Sequence, residues 1–114
     1  MESKPEKPTY PTIEQFSNMS VDDRIRLFLD LPVNAQMLLV GTNAFAGTVS
    51  PEMAQGASKL NPDEFKAAES LLSETPFLTR TENGRLAIAE PMREFIQGDL
   101  TKFWEEQQRN NPKQ

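Results

Sequence analysis

The stretch TPFLTRTENGRLAIAEP (75–91) decides the fold. Pro76 closes the helix before it, because proline lacks the backbone N–H and its ring clashes with the preceding turn. Phe77-Leu78-Thr79-Arg80-Thr81 then reads as a short strand. Arg85-Leu86-Ala87-Ile88 alternates polar and apolar residues and returns as a second strand. Between them, Glu82-Asn83-Gly84 is the turn, with Asn-Gly supplying the positive φ that a tight hairpin requires. Glu90-Pro91 opens another helix, with proline at a first-turn position that needs no donor.

On the N-terminal side of this hairpin the punctuation predicts a run of helices. Thr12 can cap a short helical turn through Ile13 and Phe16. Ser20, with Asp23 three residues on, resembles a capping box with Asp in place of Glu. Val21, Ile25, Phe28 and Leu29 follow on one helical face until Pro32 stops them. Asn34 is expected to cap the next helix, which runs to about Phe45 and ends at Gly47. Ser50-Pro51-Glu52 and Asn61-Pro62-Asp63-Glu64 use one device twice, a capping side chain followed by proline and first-turn acids. They open a short Ala-rich helix that breaks near Ser58, and a longer one with Phe65, Ala68, Leu71 and Leu72 as its apolar stripe. Beyond the hairpin, Met92, Ile96 and Phe103, with the neighbouring Phe95, Leu100 and Trp104, are the apolar residues of the last helix, and a kink or break is expected at Gly98. The predicted order is helix, helix, short helix, helix, β-hairpin, helix. The fold class is mainly α: a winged-helix-like helical bundle with one β-hairpin, spanning residues 12–106.

The flanks read differently. Residues 1–11 carry Pro5, Pro8 and Pro11 at every third position among charged residues, a spacing that suits an extended, disordered tail. Residues 107–114 are polar and are expected to be a disordered tail as well. At 114 residues, with 37% hydrophobic residues and a mean hydropathy of −0.59, there is material for one modest core. No apolar run approaches the roughly 18 residues needed to cross a bilayer, and the N-terminus lacks the apolar run of a signal peptide. A cytoplasmic location with no membrane contact is expected.

Composition also narrows the chemistry. The chain has no cysteine and no histidine. It therefore lacks the commonest general base, the commonest zinc ligands and the usual activated nucleophiles. Its glycines are scattered, and none begins a phosphate-binding loop. The carboxylate pairs Asp22/Asp23 and Glu105/Glu106 lie in polar helical segments, where solvation suits an ordinary surface better than acid–base catalysis. No enzyme activity, cofactor or metal is expected.

Residues 31–96 carry a resemblance to a known family. In LPVNAQMLLVGTNAFAGTVSPEMAQ (31–55) a helix after Leu-Pro runs into Ala-Phe-Ala-Gly and then a new helix. In ESLLSETPFLTR (69–80) a helix passes into a strand, and in NGRLAIAEPMREFI (83–96) a return strand leads into a helix. Together they resemble the winged-helix domain that follows the ATPase core in signal-transduction NTPases of the apoptotic and plant-resistance type (the STAND, or NB-ARC, class). These 114 residues hold no counterpart of the ATPase core. Where that family commonly has a nucleotide-contacting histidine after the return strand, this chain has Ala89, then Glu90. The resemblance thus implies a fold and a habit of packing against other protein, without nucleotide binding.

A small protein-interaction module, adaptor or regulatory subunit is the first functional reading, its partner another protein or a second copy. Leu100, Phe103 and Trp104, beyond Gly98, are the candidate contact residues, since Trp and Phe are enriched at interface cores. The alternative is a DNA-binding winged-helix transcriptional regulator using Arg80 and Arg85 on the wing. Against it, the helix before the wing holds Asp63, Glu64, Glu69 and Glu74 against Lys66 alone, in a chain of net charge −5. A third reading, DNA mimicry by Asp22, Asp23, Asp63, Glu64 and Glu69, finds no support in so ordinary a net charge.

Overall fold

The computed structural model describes residues 10–45 and 47–110. The hairpin forms as an antiparallel pair of β1 (Leu78–Arg80) and β2 (Leu86–Ile88), in the register Leu78↔Ile88, Thr79↔Ala87, Arg80↔Leu86. Its loop closes when Gly84 N donates to Thr81 O (2.9 Å) and Thr81 N to Arg85 O (2.7 Å). Gly84 alone carries the positive φ, 81°, and Asn83 does not share it. The turn is therefore the three-residue type with a left-handed glycine, and the positive φ expected from Asn-Gly falls on Gly84.

Ahead of the hairpin lie α1 (Ile13–Ser17), α2 (Val21–Asp30), α3 (Val33–Asn43), α4 (Pro51–Ser58) and α5 (Pro62–Ser73). Thr12 and Asn61 each form a complete capping box, with Gln15 and Glu64 returning the bond. Ser20 and Ser50 cap in one direction only, through Asp23 N and Met53 N. Asn34 does not cap α3. Pro32 occupies that position and the helix starts at Val33 without a side-chain bond. Proline fixes its own φ and needs no N–H there, so the stop of α2 also serves as the start of α3.

One contact crosses the chain in a way that local patterning does not announce. Val49, between α3 and α4, exchanges both backbone bonds with Leu86, at 2.9 and 2.7 Å. This bridge adds a third, single-residue rung beside β2 and ties the end of α3 to the hairpin.

The core is built around four phenylalanines from different parts of the chain. Phe16 of α1 meets Phe77 and Phe95 edge-on, at 5.2 and 5.7 Å between centroids, and Phe28 of α2 lies 6.0 Å from Phe95. All four are buried. Each such side chain removed from water contributes about 1.5–3 kcal/mol, which holds α1 and α2 onto the rest. Arg24 completes that join: it donates to Phe16 O (3.0 Å) and Ser17 O (2.6 Å), and reaches Asp99 at 3.4 Å.

The last helix is continuous but not uniform. It comprises α6 (Glu90–Phe95), a wider π-turn (Ile96–Leu100) and α7 (Thr101–Asn110). Thr101 Oγ1 donates to Ile96 O at 2.8 Å across the π-turn. The expected kink at Gly98 is thus a π-turn, which adds a residue to the helical circuit and turns the following side chains by about 100°. The helix runs through Gln107–Asn110, so the expected tail from 107 begins inside it. At the other end Tyr10 packs against the core, two residues before the expected boundary at 12. The remainder of both expected tails, 1–9 and 111–114, lies outside the described residues.

Candidate interaction site

The π-turn decides where the three expected contact residues point. Leu100 is completely buried and belongs to the core, which corrects its assignment as a surface contact. Phe103 is half-buried and packs against the core. It faces the same shallow depression as Val21 and Ile25 of α2. Trp104 faces elsewhere: its ring stands edge-on to Phe28 at 6.4 Å, and 38% of the residue stays exposed. Phe103 and Trp104 therefore do not form one aromatic pair. Neighbours on a helix are separated by about 100°, and here each takes a different side of α7.

Trp104 forms one edge of an open apolar groove of about 380 Å³. The floor is α3, where Val33, Met37, Val40 and Ala44 recur at i, i+4, i+7 and i+11 along one face. The far edge is the end of α4, with Ala57, Ser58 and Lys59. Gly41 lets the two helices come this close: a Cβ there would stand 2.6 Å from Ser58 Oγ and 2.8 Å from Ser58 N. Val33 is 67% exposed and Met37 37%. Gln36, also lining the groove, donates to Leu29 O (3.2 Å) and Leu31 O (2.8 Å) and ties the start of α3 to the end of α2. Exposed apolar residues are ordinary when scattered, and informative when several share one concave surface.

Lys59 carries the only charge among the described residues lining this groove. It ends α4 in the left-handed conformation, at φ 62°, where glycine would be easier. Leu60 N reaches Gln55 O (3.4 Å) behind it, and the buried Leu60 anchors the turn.

Val33, Met37 and Lys59 were missed by sequence reasoning. One signal was available: VNAQMLLVGTNA (33–44) is apolar around most of its circumference. In a domain with a single core, such a helix leaves one face uncovered or gives it to another partner.

The two hairpin arginines expected as DNA contacts in the alternative reading, Arg80 and Arg85, are already engaged within the chain. Arg80 pairs with Glu69 of α5 and donates to Gly84 O at 3.2 Å. Arg85 donates to Thr48 Oγ1 (2.9 Å) and Thr48 O (3.1 Å), holding the strand beside Val49. Arg93, in α6, likewise reaches Asn43 Oδ1 (3.1 Å) and Phe45 O (2.6 Å) and fixes the end of α3. Among the described residues no helix is long and apolar enough to cross a membrane.

No protein-family model, curated protein or solved structure matches this chain.

Proposed function

We propose that this chain is a non-catalytic protein-interaction module of winged-helix plan, acting in the cytoplasm as an adaptor or regulatory subunit and docking through the α3–α4–α7 groove. One observation carries the reading: Val33, Met37 and Trp104 stand exposed around a single apolar concavity, which the half-buried Val40 and the exposed Ala44 continue. The winged-helix part is supported by the element order α3, Val49 bridge, α4, α5, β1, β2, with the bridge against the return strand. The resemblance of residues 31–96 to the signalling-NTPase domain points the same way. The non-catalytic part rests on a sequence without histidine or cysteine. Trp104 at the edge suits an interface, since tryptophan brings a large contact area with few rotors to freeze.

Photo-crosslinking tests the reading. Benzoylphenylalanine placed at Met37, or at Glu82 on the wing as a control, is irradiated in cells that express the full chain. We expect adducts from position 37 that disappear when Val33→Asp is added, with the melting temperature of that variant unchanged within a few degrees. Adducts from position 82 and none from 37 would move the docking surface to the wing and sink the groove reading.

A further inference from the structure

We infer that α7 is a hinged strap: it undocks as one unit from the base that the π-turn provides, while the rest of the fold stays closed. The strap goes beyond the docking reading and stands without it. Burial along the last helix ends abruptly. Met92, Phe95, Ile96 and Leu100 are buried, so α6 and the π-turn belong to the core. From Thr101 onward the pattern breaks. Across residues 101–109 Phe103 alone is half-buried, and all the others are exposed. Trp104 is one of the exposed ones, with its ring edge-on to Phe28. Two aromatic side chains thus supply the apolar contact that holds a ten-residue helix to the body.

A helix of that length does not sustain itself in water. Fixing its first turn costs more than the bonds return, and isolated helices below roughly 12–15 residues are marginal. The helical state of α7 therefore depends on its docking and on the turn below it. There the π-turn interrupts the regular ladder of backbone bonds, a place where long helices bend. Thr101 Oγ1 donates to Ile96 O at 2.8 Å across that interruption and fastens α7 to its base. Elements with few buried contacts and solvated backbone bonds open locally, at a lower free energy than the whole fold. Opening takes away the groove edge that Trp104 forms and uncovers the edge of the Phe28 ring, which is completely buried in the closed state. The closed groove is accordingly one of two states that α7 sets.

Native-state hydrogen exchange on the full chain, read by NMR where reclosing outruns exchange, tests this. The amides of residues 105–109 should share one opening constant, roughly 100-fold larger than that of the Leu38 and Leu39 amides in α3. Low urea should leave it unchanged, because opening exposes little surface. Phe103→Ala and Trp104→Ala should each raise that constant about 10-fold, as expected for side chains only partly removed from water. Thr101→Val separates hinged opening from fraying. It keeps the shape of the side chain, removes the bond to Ile96 O, and should raise the constant of residues 105–109 about 2- to 10-fold, as loss of one hydrogen bond does. A helix that merely frays from its far end breaks no bond at Thr101, so its amides would not respond. Three outcomes overturn the inference: amides of residues 105–109 as slow as those of Leu38 and Leu39, an opening constant indifferent to Phe103→Ala and Trp104→Ala, or exchange graded toward Asn110 and unmoved by Thr101→Val.

Discussion

Adding one methyl group to each of three helical glycines should have opposite effects, because their surroundings differ. Gly41 lies where α3 touches α4, and a Cβ would press on the backbone of Ser58 as well as its hydroxyl. Backbone cannot swing away as a side-chain tip can, so Gly41→Ala should destabilise by about 1–3 kcal/mol through overpacking. Gly56 in α4 and Gly98 in the π-turn have nothing within 4 Å of the added carbon, and neither has positive φ. There alanine only narrows the unfolded chain's freedom, and each exchange should stabilise by about 0.4–1 kcal/mol. Urea melts of the three single variants measure all of this. A stabilised Gly41→Ala would mean that α3 and α4 are farther apart than described. The glycine positions are plain in the sequence, but their sorting is not: Gly41 and Gly98 look alike until the neighbouring helix is known.

At the scale of the element, the legible features are those written within four residues. The capping side chains of α1, α2, α4 and α5, the proline stops and the Glu82–Gly84 turn all follow from local hydrogen bonding and fixed φ. What escaped depends on distant partners. The Val49–Leu86 bridge is a single residue wide and has no period to detect. At Gly98 the sequence indicates a weak point, whereas the choice of a π-turn depends on the packing that buries Ile96 and Leu100. That choice then rotates α7 as a whole, while Phe103 and Trp104 take different sides of it because helical neighbours lie about 100° apart. The asparagines make the contrast testable. Asn61 accepts from Glu64 N at 2.8 Å, while Asn34 sits inside α3 behind Pro32. Asn61→Ala should cost about 0.5–2 kcal/mol. Asn34→Ala should change stability by less than about 0.7 kcal/mol and toward greater stability, since alanine is the better helix former. Thermal melts that rank the two the other way round would overturn this assignment of caps.

For the whole molecule, the decisive balance is between the proposed winged-helix plan, a plan that often reads DNA, and a surface that opposes phosphate. Non-specific affinity for duplex comes from cations that displace condensed counterions. The chain has net charge −5, and α5, the helix before the wing, offers Lys66 against Asp63, Glu64 and Glu69. The wing does not reverse this. Arg80 is held by Glu69, so docking it on a phosphate requires breaking an ion pair, and Arg85 is turned back to Thr48. A labelled random-sequence duplex at physiological salt should therefore bind with a Kd weaker than roughly 10⁻⁴ M, the loose end of ordinary non-specific binding. Fluorescence anisotropy measures it, and halving the salt should change little, because few phosphates are neutralised. Glu69→Gln sharpens the test by releasing Arg80 and removing one acid from α5. If repulsion by the whole surface governs, that variant should still bind only marginally. A micromolar, steeply salt-dependent complex in the parent chain would instead make the hairpin and α5 the working face, and the α3–α4–α7 groove an accessory to it.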